Sequence, residues 1–191
     1  GIVVRELVKN NNLNDEIIGT AFWLKLIAAF GVLLILAIAI NFTSNDTYTN
    51  ILIFIIASAT IFQSFNVVDF YFQSKVMSKF VVYANIISLF LSSIVKITLI
   101  LNEAPLLAFA WVILFDSFIL ACGFIYFYIK KNLKFKIKNL KLKIKTATLL
   151  LKDSWPLILS GIAISIYLKI DQVMIKEMMN AEAVGQYAAA V

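Results

Sequence analysis

Polar residues recur with helical spacing inside one of the apolar stretches of this sequence. Asn85, Ser88, Ser92 and Lys96 follow one another at intervals of three and four residues, which places them on one face of a helix. Lys96 comes about 16 residues into that stretch, roughly 24 Å along a helix axis. Such a stripe predicts a water-filled cavity or a bundle interior, where the ammonium group could meet an anion. The alternative is that Lys96 reaches the outer headgroups.

A carboxylate, Asp116, lies near the middle of the next apolar stretch, beside Ser117. In lipid such a group has to be neutral, paired or hydrated. Lys96 on the preceding helix is a reasonable partner, which would make the two residues a structural pair. The other interpretation is a carboxylate that couples transport to a proton or another cation. Both interpretations fit the sequence.

A second polar face occurs late in the last apolar stretch. Ser165, Lys169, Gln172 and Lys176 are spaced by four, three and four residues, and Asp171 lies beside that face. A cation and an acid placed together there suit an anionic headgroup and its coupling ion. An ordinary helix end that enters the interface would contain the same residues.

Two further ionisable residues lie nearer the ends of apolar stretches. Lys25 is about one turn inside the first stretch, where it could line the inner mouth of a cavity or reach the headgroups. Asp69 follows the second stretch, near Gln63, Ser64 and Asn66, and we interpret it as part of a solvated helix end.

Other kinds of chemistry find little support in the composition. The chain has no His and one Cys, Cys122, so it offers no disulfide, no usual zinc site and no Ser-His-Asp constellation. Gly-rich phosphate loops, paired carboxylates and metal-ligand spacings are also missing. We therefore predict no catalytic residue, no metal and no cofactor, and expect the protein not to be an enzyme. Asp, Glu and Lys leave less common enzyme designs open.

We expect these residues to lie on membrane-spanning helices. Hydrophobic residues make up 62% of the 191 residues and charged residues 15%, and the mean hydropathy is +0.92. A soluble domain of this size needs a larger charged share at its surface, whereas a lipid solvent removes that need. About 20 apolar residues cross the hydrocarbon core as a helix. Five stretches qualify: Thr20–Ile40, Tyr48–Val68, Phe80–Leu101, Leu106–Ile129 and Pro156–Ile175. The predicted fold is an all-α, polytopic transmembrane bundle.

Lysine and arginine occur in alternate connections between these spans. The loops Asn41–Thr47 and Asn102–Pro105 contain neither residue type. The positive-inside rule then predicts that three basic segments are cytoplasmic: residues 1–19, 69–79 and 130–153. The fifth span would run outward and leave Met178–Gly185 on the far side.

The domain organisation follows from the basic connection at residues 130–153. Residues 1–129 are predicted to be four spans of an N-terminal lobe, and residues 154–191 the start of a C-terminal lobe with one span and an outer loop. Ser154 is a predicted helix N-cap, with Pro156 in the first turn.

The basic connection has an unusual pattern of its own. Residues 134–145 alternate lysine and apolar residues, which is typical of a strand, with a hairpin around Asn139. We expect Lys130–Lys152 to rest on anionic lipid headgroups. A recruitment site for a cytoplasmic partner is the alternative. Nucleic-acid binding is disfavoured, because Phe135 is the one aromatic residue among these lysines.

Four short stretches carry a resemblance to a known family. They are Val4-Arg-Glu-Leu-Val8, Ser154-Trp-Pro-Leu-Ile-Leu-Ser-Gly161, Tyr167-Leu-Lys-Ile-Asp-Gln-Val-Met174 and Ala183-Val-Gly-Gln-Tyr-Ala188. The chain resembles the Wzx-like O-antigen and polysaccharide flippases of the multidrug/oligosaccharidyl-lipid/polysaccharide superfamily. Its layout resembles helices three to seven of such proteins, so we expect a fragment in which residues 130–153 join two lobes.

This resemblance implies a function. A flippase of this kind moves undecaprenyl-pyrophosphate-linked oligosaccharide, an O-antigen or capsule repeat unit, across the bacterial inner membrane by alternating access and with ion coupling. Expected partners are a polysaccharide polymerase and chain-length proteins. The predicted site comprises substrate-binding cations and ion-coupling acids: Arg5, Lys25, Lys96 and Lys169, then Asp116 and Asp171. Arg5, Lys169 and Asp171 lie in the stretches that carry the resemblance, and the others are added from their position in a helix.

Two other functions fit part of these observations. A drug or small-cation antiporter of the same superfamily would share the fold, but a surplus of cations at membrane depth favours an anionic cargo. A membrane glycosyltransferase or polymerase would be expected to carry a sizeable hydrophilic catalytic loop, and the outer loops predicted here are short.

Overall fold

The computed structural model describes residues 1–10, 13–42, 46–130 and 142–190. These residues form α-helices and contain no strand: α1 (Ile2–Lys9), α2 (Asn14–Ile40), α3 (Thr47–Phe62), α4 (Val67–Ser74), α5 (Lys79–Leu101), α6 (Leu106–Lys130), α7 (Ile144–Met178) and α8 (Ala181–Ala190). Five helical segments are long and apolar enough to cross a membrane, with α3 and α4 joined in one of them. The predicted all-α bundle with five spans is confirmed.

The predicted start of the last span is wrong. α7 begins at Ile144, and Pro156 lies inside the helix instead of in its first turn. The reason is that residues 146–151 are Thr-Ala-Thr-Leu-Leu-Leu, which continue a helix upstream, while Pro156 removes a single backbone hydrogen bond. Much of the segment predicted as an outer loop is also helical, because α8 begins at Ala181.

The second span is also longer and less regular than predicted. A 3-10 segment, Gln63–Asn66, follows α3, and α4 then continues to Ser74. Residues 69–74, predicted to belong to a loop, are therefore helical. The predicted hairpin around Asn139 lies outside the described residues.

The chain divides into two compact units, residues 1–148 and residues 149–191. In the first unit, α3 packs between α2 and α6, and α6 packs between α3 and α5. α5 and α6 approach closely, since a Cβ added to Gly123 would lie 3.2 Å from the Cβ of Ala84. Small residues at such a contact are typical of helix pairs in membranes. Large apolar side chains elsewhere on these helices are exposed, as lipid-facing residues would be.

The core of the first unit is concentrated at one end. α1 packs on α4 there, and Leu7 and Phe72 are fully buried. Phe72 contacts the rings of Phe80 and Tyr128, which ties the end of α4 to the start of α5 and the end of α6. Glu16 near the start of α2 forms an ion pair with Lys143. The described basic residues at this end are Arg5, Lys9, Lys75, Lys79, Lys130, Lys143 and Lys145.

The opposite end of the first unit is formed by the starts of α3 and α6. The hydroxyl of Tyr48 accepts a hydrogen bond from the backbone N–H of Leu107 at 3.1 Å. The described residues at this end, 41–42, 46–48 and 102–107, include no lysine or arginine. The basic segments that alternate in sequence therefore gather at one end of the folded unit.

Candidate functional site

Residues of α2, α3 and the 3-10 segment line an open pocket inside the span region, and four of its seven lining residues are polar. The pocket has a volume of about 240 Å³, and its lining includes Lys25, Thr60, Gln63 and Ser64. Lys25 lies five residues beyond Thr20, or about 8 Å further along α2 from the basic end. Lys25 thus lines a pocket, and its role as a substrate-binding cation stays a prediction.

Lys25 has few contacts with charged groups. Its Nζ lies 4.7 Å from the centroid of the Phe70 ring, a distance typical of a cation–π contact. It forms no ion pair with any residue that the structure describes, although Asp69 interacts with it electrostatically. Asp69 itself accepts a hydrogen bond from the Gln73 side chain at 2.9 Å. The ammonium group is half-buried and is left with capacity for a further partner.

The far wall of this pocket is formed where regular helix gives way to the 3-10 segment. A 3-10 stretch in the middle of a span often marks a functional position. The segment is Gln-Ser-Phe-Asn, so its three polar residues lie within a membrane-spanning element. Ser64 is 1% exposed, and its Oγ has no hydrogen-bond partner among the residues that the structure describes. The polar run at residues 63–66 is the sequence signal for this site, although from the sequence alone it is interpreted with Asp69 as a solvated helix end.

A second polar contact joins α5 and α6. The Ser88 hydroxyl donates to Asp116, with 2.5 Å to Oδ1 and 3.2 Å to the backbone carbonyl. Ser88 and Ser92 are buried, so this part of the predicted stripe faces the bundle interior. The suggested pairing of Asp116 with Lys96 is wrong, because no ion pair joins them and Ser88 provides the contact instead.

The two ends of the stripe on α5 differ from its buried middle. Asn85 is exposed, and Lys96 is half-exposed without an ion pair to any described residue. Next to Lys96, Val95 and Leu99 line an apolar groove of about 570 Å³ with residues of α6, including Trp111 and Phe115. The groove beside Lys96 is thus apolar and not the predicted water-filled cavity.

In the second unit, one face of α7 carries the predicted residues. Lys169 lines a shallow groove with Gly161, Ser165 and other residues of the same helix. Its Nζ donates to the Gln172 side chain at 3.5 Å. Asp171 accepts a hydrogen bond from the Tyr187 hydroxyl at 3.4 Å, which links α7 to α8. Both charged side chains are exposed.

Arg5 lies on α1, at the basic end of the first unit. It forms an ion pair with the adjacent Glu6 at 3.2 Å, and Asn10 donates to the same carboxylate. The polar residues that the structure adds to the predicted site are Gln63 and Ser64, which line the pocket beside Lys25, and Ser88, which donates to Asp116. No group of His, Cys, Asp or Glu within the described ranges could hold a metal ion.

Comparison with known proteins gives one family. A model described as "Polysaccharide biosynthesis protein" matches residues 1–191, which is the whole chain. No curated protein and no solved structure matches the chain with significant similarity.

Proposed function

The chain belongs to the polysaccharide biosynthesis protein family, and from this premise we propose that it is part of a flippase for lipid-linked oligosaccharide. The match over residues 1–191 is the observation that carries the proposal, because it makes a role in polysaccharide biosynthesis or export the starting point. The proposed cargo is an undecaprenyl-pyrophosphate-linked O-antigen or capsule unit. The proposed location is the bacterial inner membrane, with the basic end of the first unit in the cytoplasm.

The charges at membrane depth support an anionic cargo. Lys25 and Lys96 are half-buried within spans, and neither forms an ion pair with a described residue. An unneutralised cation at that depth is costly unless it meets water or an anion. We propose that both lysines, with Lys169 and Arg5, attract the pyrophosphate of the cargo during alternating access. A cationic drug would be repelled by the same groups.

The acids are proposed to respond to the coupling ion. Asp116 holds the Ser88 hydroxyl, and Asp171 holds the Tyr187 hydroxyl. Protonation or cation binding at either carboxylate would change these contacts, which offers a route from ion binding to a helix rearrangement. Anionic lipids at Lys130–Lys152 and the polysaccharide polymerase and chain-length proteins remain proposed partners.

Surface polysaccharide tests this function in a strain that depends on the full-length protein. Lys96→Ala and Lys169→Ala are expected to abolish surface polysaccharide while protein abundance stays unchanged. Lys79→Ala is the matched control for Lys96→Ala, at the start of the same helix, and should leave it normal. Normal polysaccharide in both test variants would remove these lysines from the mechanism.

Loss of the whole protein gives the test of the transport role itself. In its absence, lipid-linked oligosaccharide should accumulate on the cytoplasmic side of the membrane. If the same strain instead stops making the lipid-linked unit, the protein acts in synthesis and the flippase proposal is wrong.

A further inference from the structure

We propose that the pocket between α2 and α3 binds a phosphate-bearing headgroup, with Lys25 as its cation and Gln63 and Ser64 as hydrogen-bonding groups. This inference rests on the proposed function, which it makes more specific: it assigns the pyrophosphate of the cargo to one subsite of the first unit. Gln63 and Ser64 are not among the predicted site residues, and the structure places them in the lining of this pocket.

The cation of this subsite is available to a ligand. The Lys25 ammonium has three N–H donors. Its contact at 4.7 Å is with the face of the Phe70 ring and not with an oxygen atom, so the donors can still form hydrogen bonds to a ligand. No carboxylate of the described residues lies within 4 Å of it. A phosphate oxygen would therefore add a partner without displacing one.

The second group is a buried hydroxyl without a partner. Two neighbours on α3, Ser58 and Thr60, donate to carbonyl oxygens of their own helix, at 2.6 Å and 2.7 Å. Ser64 makes no such bond, although it is 1% exposed. Leaving a hydroxyl unpaired in a buried position costs free energy that a ligand oxygen can recover. The 3-10 segment is what holds this residue at the pocket instead of continuing the α-helical pattern.

The size of the pocket limits what it can take. Pockets for drug-sized ligands span about 300–1,000 Å³, and this one has about 240 Å³. It fits a headgroup phosphate and adjoining atoms, not a whole oligosaccharide. The lining combines one cation and three neutral polar residues with the apolar residues Ala28, Ala29 and Val32. Lys25 can pair with an anion, and the neutral polar groups can donate hydrogen bonds to its remaining oxygens.

The phosphate could belong to the lipid-linked cargo, to an ordinary phospholipid or to free pyrophosphate. We assign it to the cargo because the pocket extends along α2 from Lys25 to Val32, about 8 to 18 Å beyond Thr20, although the Lys25 ammonium itself contacts Phe70 of α4. An ordinary phospholipid headgroup would stay at the basic end of the first unit.

Binding to the purified full-length protein in nanodiscs tests the assignment. The probes are undecaprenyl pyrophosphate, phosphatidylglycerol and inorganic pyrophosphate, and the variants are Lys25→Gln, Gln63→Leu and Ser64→Ala. Lys25→Gln and Ser64→Ala should each weaken binding of undecaprenyl pyrophosphate by roughly ten- to a hundredfold, as expected for hydrogen bonds to a charged group. Ser58→Ala is the matched control, since it removes a hydroxyl of α3 that bonds within its own helix, and it should bind like the wild type.

A second measurement separates binding from folding. Without ligand, Ser64→Ala should melt at the same temperature as the wild type or higher, because the variant removes an unpaired buried hydroxyl. Weaker binding together with unchanged or higher thermal stability supports the subsite. Unchanged binding in both Lys25→Gln and Ser64→Ala overturns it, and so does a fall in thermal stability that accounts for the loss of binding.

The three probes distinguish the source of the phosphate. The assignment to the cargo is wrong if the variants weaken the binding of phosphatidylglycerol as much as that of undecaprenyl pyrophosphate. It is also wrong if the variants weaken only the binding of inorganic pyrophosphate. Oligosaccharide accumulation in the deletion strain tests the flippase function independently. Accumulation there combined with unaltered binding in the variants would reject this subsite and leave the function standing.

Discussion

Two helix interfaces of the first unit contain polar side chains within the spans. A buried serine side chain is hydrogen-bonded in one interface and not in the other. Between α5 and α6, Ser88 is buried and bonded to Asp116. Between α2 and α3, a pocket of about 240 Å³ remains, and the Ser64 hydroxyl has no partner. The first interface is closed and its polar groups are satisfied, whereas the second is open and its polar groups are not.

The difference lies in the residues at which the helices meet. α5 and α6 can approach closely because Gly123 faces Ala84. Between α2 and α3, the pocket lies at Lys25 and at a change of helix type. A satisfied serine in a closed interface serves packing. An unpaired serine beside a cation is better suited to a ligand.

The largest expected effect is the opening of the closed interface. Gly123→Leu would place a side chain where a single Cβ already lies 3.2 Å from Ala84. Overpacking of this kind costs about 3 kcal/mol or more when backbone has to move. We expect a large fall in thermal stability in detergent. Gly31→Leu is the control, because nothing lies within 4 Å of an added Cβ there, and it should stay close to the wild type.

The two serines give the most direct comparison of the interfaces. Ser88→Ala removes a bonded hydroxyl and leaves the Asp116 carboxylate without that donor, so it should lower stability by about 1–2 kcal/mol. Ser64→Ala should cause no such loss. Thermal unfolding of the two variants under the same conditions measures the difference. Equal losses would mean that the two interfaces do not differ as described.

The smallest expected effect concerns the start of α3, the helix that carries the open interface. The Thr49 side chain and then its backbone N–H donate to Asp46, and these hydrogen bonds lower the pKa of the carboxyl below its ordinary value. Because the pKa is lower in the folded state, the ionised carboxyl stabilises the fold at pH values above its unfolded-state pKa of about 4. This stabilisation is lost as the pH falls through the lower folded-state pKa. Asp46→Ala should therefore slightly lower the melting temperature at neutral pH but not at low pH.

Asp46→Asn is the matched variant for that measurement. Asparagine caps a helix about as well as aspartate but does not titrate. It should keep the stability of the wild type at neutral pH and lose the dependence on acid pH. A pH profile identical to that of the wild type would show that the Asp46 carboxyl is not the group responsible.

The number and type of the spans could be predicted from the sequence, and so could most of their bounds. Apolar stretches of about 20 residues are forced to be helices in lipid, whichever helices they pack against. The errors arose at Pro156 and at residues 63–66. Pro156 stays within α7 because a helix tolerates one missing hydrogen bond when strong helix formers precede it. The 3-10 segment arises from packing that hydropathy does not register.

The predicted site was less complete for the same reason. Helical spacing correctly placed Ser88 and Ser92 on an inward face of α5, but it could not show that Ser88, and not Lys96, contacts Asp116. Lys25 was chosen for its depth, while its neighbours Thr60 and Gln63 belong to another helix and are brought to it only by folding.

The sequence alone determined that this protein is a helical membrane protein with its cations grouped in alternate connections, because hydropathy and charge act on each segment separately. Tertiary structure alone decided which polar groups are paired and which are open to a ligand. That choice depends on which residues of different helices meet, and those residues are far apart in the chain: Gly123 approaches Ala84 in one interface, and Lys25 and Ser64 line one pocket in the other.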